Sequence, residues 1–331
     1  MNNTEITVQE LLKDLSKSLN LKVIAGKKGI ERKITEADIN RPGLALAKYF
    51  KEFGYKRIQI LGKGEIAYLS DQPKEERKNI LAAFFKYEIP CFIVDWNSQT
   101  PKELILFANQ YNIPVISTPT PTGRLTTQLV LYLEERFADH SLEYGTLIDV
   151  YGVGIFIRGK HSIGKSECAL ELVERGHRLV ADDSVLIKRI GIGLVGQPPP
   201  ATAEIMEFRG LGIINIKELF GLSSICPKKE IDLVIELEEW KEGKEYDRTG
   251  LDELKTKILD VDVPKVVIPV APGRNLAVIT EVAAINQRTK KIGENTAESF
   301  AKKQKKRLKD RQQTTNIVSV QPSVISCQQR P

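Results

Sequence analysis

The sequence predicts an α/β protein of two domains, and three observations carry that prediction. Helices and strands alternate from the start to about Phe137. A strand, a glycine loop and a helix follow one another from Val153 to Arg175. Apolar residues make up 41% of 331 residues, enough to fill two cores. The expected division is an N-terminal α/β domain over 1–137 with a mostly parallel sheet, a phosphate-loop domain over 138–311, and a tail over 312–331.

The first helix is marked by Thr7 and Glu10 at capping-box spacing, with Leu11, Leu12, Leu15 and Leu19 on one face. Arg57–Leu61 reads as a strand closed by Gly62, Glu75–Lys86 as a helix, and Pro90–Val94 as a short buried strand. Thr100–Tyr111 reads as a helix and Ile113–Ile116 as a strand. Strands separated by helices of this length imply parallel pairing. The first domain shows no catalytic cluster.

Beyond Ala138–Ser141 the texture changes. Apolar strands are expected at Thr146–Val150 and Val153–Arg158, joined through Tyr151-Gly152. More follow at Arg178–Ala181, Val185–Lys188, Ile231–Leu237 and Val266–Val270. Helices are expected at Leu276–Lys291 and Thr296–Arg311. The last twenty residues are rich in Gln, Ser and Thr and are expected to be disordered.

Composition excludes several function classes. Seven Lys or Arg against one Asp between Lys302 and Arg311 account for the whole net charge of +6, so no basic groove for nucleic acid is expected across a folded domain. No run approaches the ~20 apolar residues of a membrane span. The start, MNNTEITVQELLKDL, lacks the basic-then-apolar order of a secretory signal. The four cysteines, Cys91, Cys168, Cys226 and Cys327, form no metal spacing. Reduced thiols and a cytoplasmic location are expected.

The chemistry is carried by Gly159-Lys160-His161-Ser162-Ile163-Gly164-Lys165-Ser166, which fits G-x-x-x-x-G-K-[ST]. The strand leading in and the helix leading out supply the context that a phosphate loop needs. Glycines let backbone N–H groups turn around phosphate oxygens, and the helix N-terminus adds partial positive charge. Lys165 is placed to reach the β- and γ-phosphates of ATP, and the Ser166 hydroxyl to bind Mg²⁺. The next strand ends in Ala181-Asp182-Asp183. One of these acids can orient metal or its waters and the other can take a proton from an attacking hydroxyl; a solvated turn is the alternative.

Several long motifs resemble the HPr kinase/phosphorylase family. They are GKSECALELVERGHRLVADD, MEFRGLGIINIKELFG from Met206 to Gly221, PGRNLAVITEVAAIN from Pro272 to Asn286, and INRPGLALAKYF with RIQILGKGEIAYL nearer the start. The resemblance implies a catalytic domain like that of phosphoenolpyruvate carboxykinases, assembled as a homohexamer. It implies phosphorylation of a serine on the phosphocarrier protein HPr by ATP or pyrophosphate, and removal of that phosphate by inorganic phosphate. It implies Lys165 as the loop lysine, Ser166 and Glu207 as Mg²⁺ ligands, Asp183 as the proton acceptor and Arg248 as an active-site arginine. Arg209–Ile216 is the loop used in both directions, and Pro269–Arg274 the loop tied to dephosphorylation.

Three positions depart from the family pattern. Tyr144 stands where a histidine is expected, Ser162 where a glycine is usual, and Ala271 where an arginine is usual. A tyrosine does not titrate near neutrality as histidine does. If position 162 needs positive φ, Ser162 adds strain. The expectation is retained kinase chemistry with weakened phosphorolysis. Two alternatives stand beside it: a nucleotide-binding regulatory protein of the same fold with little catalysis, and a small-molecule kinase.

Overall fold

Thr7 opens the first helix in the way its spacing predicts. Its hydroxyl accepts from the Glu10 N–H at 3.2 Å, and the Glu10 carboxylate accepts from the Thr7 N–H at 2.8 Å. The computed structural model describes residues 5–96, 98–208, 210–246 and 253–293. Two units form, Met1–His140 with Lys188–Ile192, and Ser141–Ile187 with the chain from Gly193 onward. Arg209, Arg248, the expected helix over 296–311 and the tail over 312–331 lie outside the described residues.

The first unit runs β1 (Ile6–Thr7), α1 (Val8–Leu19), β2 (Lys22–Ala25), β3 (Lys33–Ile34), β4 (Ile39–Asn40), α2 (Gly43–Leu46) and β5 (Ile58–Leu61). It continues with α3 (Lys63–Asp71), α4 (Lys74–Phe84), β6 (Phe92–Val94), α5 (Lys102–Tyr111), β7 (Val115–Ser117) and α6 (Thr122–Phe137). Its main sheet has the order β2-β7-β6-β5-β4, with β4 to β7 parallel and β2 antiparallel at one edge. Side chains alternate across it. Leu61, Phe92 and Val94 enter a core with Leu69, Phe84 and Leu104, while Ile58, Ile60 and Ile93 enter another with Leu11, Leu129 and Leu133. Burial on both faces explains why these strands read as unbroken apolar runs.

The elements that follow are β8 (His140–Tyr144), β9 (Thr146–Val150), β10 (Val153–Gly159), α7 (Lys165–Glu174), β11 (Arg178–Ala181), β12 (Ser184–Ile190) and β13 (Gly193–Gln197). Then come β14 (Ile205–Phe208), β15 (Gly212–Asn215), α8 (Ile216–Phe220), β16 (Lys229–Glu230), β17 (Leu233–Glu239), β18 (Lys255–Ile258), β19 (Val261–Val270) and α9 (Leu276–Lys291). The central sheet has the order β11-β9-β10-β17-β19-β18. Strands β10, β17 and β19 are parallel, but β9 runs antiparallel between β10 and β11. The sheet is therefore mixed, where a parallel one was the expectation for Asp182-Asp183. The tight Tyr151-Gly152 turn, with φ of 52° and 85°, makes β9 and β10 a hairpin.

Helices α7 and α9 cover one face. Ala169, Leu172, Ala277 and Ala284 pack there on Ile155, Ile157 and Ile235. Phe156, Leu147, Val180 and Val234 fill the other. Among the described residues no helix is long and apolar enough to cross a membrane. Cys91, Cys168 and Cys226 are buried and unpaired.

Gly154 fixes the start of β10. Its N–H donates to Asp232 Oδ2 at 2.7 Å, and a Cβ there would stand 1.8 Å from the Glu230 carbonyl oxygen. No side chain is available to give way, so backbone must move. Gly154→Ala is expected to cost upwards of ~3 kcal/mol in urea titrations. An unchanged midpoint would show that this approach is not a constraint.

Candidate active site

The phosphate loop connects β10 to α7, and its backbone explains its glycines. Gly159 has φ 150°, and a Cβ there would sit 2.7 Å from the Leu237 carbonyl oxygen on the neighbouring parallel strand β17. Gly164, at φ 104°, turns the chain into α7. Ser162 adopts φ 67°, so the position does need the left-handed conformation, at a cost of about 1 kcal/mol or more. Ile163 anchors the loop by packing on the core beneath it. Lys160 and His161 are exposed, and Lys160 reaches Glu239 at 3.7 Å, an exposed ion pair of little energetic weight.

Lys165 folds over the loop. Its ammonium donates to the carbonyls of Gly159 at 3.2 Å and Lys160 at 2.9 Å. Those neutral acceptors hold the cation in place without neutralising it. Ser166 follows in the first turn of α7.

The two acids occupy different environments. Asp182 is buried, at 3% exposure, and accepts from the Thr146 hydroxyl at 2.6 Å on Oδ1. Its Oδ2 is buried and meets no group in hydrogen-bond geometry. Burial pushes the Asp182 carboxyl up, opposed by Thr146 and, less, by the nearby Ser166 hydroxyl. Asp183 is exposed and sits at φ 65°, an uncommon conformation for a residue with a side chain. Its carbonyl accepts from the Gly145 N–H at 3.1 Å. Gly145 is forced, because a Cβ would meet the Ile157 carbonyl oxygen at 2.6 Å. Tyr144, one residue before, is 80% exposed.

The structure thus brings together the loop 159–166, Asp182-Asp183 and the Tyr144-Gly145 corner. Glu207 is exposed on β14, paired in register with Ile213 of β15. Among the described residues no three His, Cys, Asp or Glu side chains form a metal cluster. Sequence reasoning missed Thr146. Its one signal is a hydroxyl inside an otherwise apolar strand two residues from the family's departed histidine position.

An orphaned carboxylate oxygen close to a serine hydroxyl suits a hard cation with oxygen ligands. Mg²⁺ keeps several waters and takes few protein ligands, so the absence of a larger cluster is no obstacle. Ser166 and Asp182 would hold such an ion.

Because burial raises the Asp182 carboxyl, the folded protein binds that proton more tightly than the unfolded chain. Its contribution to stability is greatest below the unfolded pKa of about 3.9 and falls as pH rises through the higher folded value. Asp182→Asn removes this titration. The variant is expected to gain stability over the parent at pH 7, with the gap closing towards pH 4, in paired urea titrations. Added Mg²⁺ should stabilise the parent alone. A gap that does not change with pH would refute the assignment of the raised group.

The chain as a whole is similar to known proteins. Residues 6–133 match the HPr Serine kinase N terminus family, and residues 135–304 match the HPr Serine kinase C-terminal domain. The HPr kinase/phosphorylase of Bacillus pumilus is 46% identical over 292 residues, covering 88% of this chain and 94% of that protein. That of Bacillus licheniformis is 47% identical with the same coverage. That of Listeria monocytogenes is 44% identical over 296 residues, covering 89% of this chain and 95% of the relative. A solved HPr(Ser) kinase/phosphatase from Coxiella burnetii is 33% identical, covers 48% of this chain and 98% of that one, and gives a TM-score of 0.44. With matching N- and C-terminal domains and near-full-length relatives of this identity, the chain belongs to the HPr kinase/phosphorylase family.

Proposed function

We propose that this chain transfers the γ-phosphoryl group of ATP to a serine hydroxyl of the protein HPr, and that the same site runs the transfer backward onto inorganic phosphate. The observation that carries this reading is the convergence, on one sheet edge, of a phosphate loop with an exposed carboxylate, Asp183. Family membership supports HPr as the substrate.

In the forward direction the serine oxygen attacks the γ-phosphorus, its proton passes to the Asp183 carboxylate, and the bond to the bridging oxygen of ADP breaks. Lys165, released from the loop carbonyls, balances charge on the β- and γ-phosphates. Bound Mg²⁺ would neutralise phosphate charge, and Ser166 and Asp182 would hold it, with Glu207 a further ligand by resemblance. In reverse, Asp183 returns the proton to the serine oxygen and a phosphate oxygen attacks the phosphoserine, giving pyrophosphate. The reversal uses the same groups, so pyrophosphate is also a donor candidate.

The departures favour the forward direction. Tyr144 is exposed and makes a poor substitute for a group that titrates near neutrality, and Ala271 offers a phosphate no charge. We also assign the first unit, whose sequence shows no catalytic cluster, a regulatory or structural role, the protein, from its scattered cysteines, a cytoplasmic location, and, on family resemblance, the assembly a homohexamer. The site geometry favours turnover over the catalytically weak regulatory alternative, since loop, lysine and acid are all in place.

The decisive experiment incubates the protein with Mg²⁺, ATP and HPr and weighs HPr by mass spectrometry. A gain of one phosphate on a serine is expected, and its loss in Asp183→Ala. ATP binding without transfer would favour the regulatory alternative. Tyr144→His is expected to raise phosphate-dependent release of pyrophosphate from phosphoserine-HPr by roughly tenfold or more. No change would show that position 144 does not limit the reverse reaction.

A further inference from the structure

One hydroxyl lies inside the apolar strand beside the phosphate loop. Thr146 opens β9, is fully buried, and pairs in register with Ile157 of β10, two residues before Gly159. Burying a hydroxyl is unfavourable unless it finds a hydrogen-bond partner. Thr146 donates to Asp182 Oδ1 at 2.6 Å, across 36 positions of sequence. Branching at Cβ leaves threonine few rotamers, so the strand sets the direction of that bond. The backbone around Asp182 is pinned as well. The Gly145 N–H donates to the Asp183 carbonyl at 3.1 Å, and the Ser184 N–H to the Asp182 carbonyl at 2.7 Å. The start of β9 therefore grips the acidic turn twice, once through Gly145 and once through the Thr146 hydroxyl.

The two oxygens of Asp182 end up unequal. Thr146 occupies Oδ1, while Oδ2 is buried and meets no partner. If satisfying a buried carboxylate were the only purpose, both oxygens would need donors. A carboxylate held this way offers a single oxygen to a cation. Mg²⁺ needs no more, because it is small, keeps several waters and takes few carboxylates beside the phosphates of a substrate. Ca²⁺ is larger, takes more oxygen ligands, and can draw on both oxygens of one carboxylate.

We infer, resting on the proposed function above, that Thr146 is a positioning residue that selects the cation: by occupying Oδ1 it leaves Asp182 to bind through Oδ2 alone, and so favours Mg²⁺ over Ca²⁺ beside Ser166. Thr146 acts through Asp182 and not by contact with the cation. Hydrogen-bond partners of metal-binding side chains commonly contribute about ten- to a hundredfold in metal affinity, so one hydroxyl is enough to set such a preference.

The test measures ADP binding to the full chain by calorimetry while Mg²⁺ or Ca²⁺ is titrated, so that no turnover enters the readout. The parent is expected to gain ADP affinity at a Mg²⁺ concentration about tenfold or more below the Ca²⁺ concentration that does the same. Thr146→Val keeps the shape of the side chain and removes the donor. Its Mg²⁺ requirement should rise about tenfold. With Oδ1 released, its Ca²⁺ requirement should rise less, bringing the ratio to about twofold or below. Thr146→Ser restores the hydroxyl without the branch and should recover the parent's ratio to within about threefold. Thr146→Ala, which cannot overfill the strand, repeats the comparison with a smaller side chain. Binding of each cation by free ADP is common to all variants and cancels from the change in ratio. A merely structural loss would weaken both cations alike. A ratio unchanged in Thr146→Val and Thr146→Ala, or one that Thr146→Ser does not recover, overturns the assignment. Lys165→Met separates the two levels. If ADP affinity depends neither on Lys165 nor on either cation, the proposed function loses its phosphate site; if it depends on both and the parent shows no preference for Mg²⁺, only the role of Thr146 fails.

Discussion

Strand β9 sets where the chemistry can happen. Leu147 pairs with Phe156 of β10 on one side and with Ala181 of β11 on the other. Because both neighbours run antiparallel to β9, they run in the same direction as each other. Their C-terminal ends therefore emerge on one edge, with Gly159 starting the phosphate loop and Asp182 following Ala181. The hairpin turn at Tyr151-Gly152 fixes this register, and a slip of one residue would send every β9 side chain to the opposite face. Thr146 would then leave Asp182 without its hydroxyl donor. The parallel pairing of β10 with β17 adds the second restraint, since the Leu237 carbonyl crowds Gly159 and holds the loop's root.

That edge also concentrates unfavourable free energy. Ser162 and Asp183 both hold left-handed backbone that side chains disfavour, and Asp182 keeps a buried oxygen without a partner. Each feature costs stability, and each sits beside the others at the end of a rigid sheet. Such clustering is what a site built for a charged ligand looks like. The scaffold that tolerates it is well packed, with Ile155, Ile157, Ile235, Leu172 and Ala284 fully buried under α7 and α9.

Much of this was legible in the sequence because it depends on local rules. The capping box at Thr7, the glycine spacing of the loop and the apolar runs of β5, β6, β9 and β10 all act within a few residues. What was not legible depends on partners distant along the chain. The antiparallel placement of β9 between β10 and β11 follows from packing, and apolar runs look the same in either direction. The β14–β15 hairpin was hidden because its exposed Leu211 and Ile213 break the alternation expected of a half-buried strand. Thr146 as the partner of Asp182, 36 positions away, leaves no local signature. Resemblance to a family supplied roles for residues, such as Glu207, whose local surroundings carry little chemical signal.

The adjacent acids show how one strand end can serve two purposes. Side chains alternate along extended chain, so neighbours at a strand terminus face different surroundings. The positive φ of Asp183 sharpens that divergence, turning its carboxylate out to solvent while Asp182 stays inside against Thr146. An exposed carboxylate can be reached by a hydroxyl carried on another protein. A buried one cannot, but it is screened least by water and so acts most strongly on a cation near Ser166. On the proposed function, two carboxylates in such different surroundings divide proton transfer from cation binding. The strain at Asp183 is, on the same proposed function, the means by which a single turn presents one acid to a protein substrate and keeps the other for the cation that accompanies the phosphates.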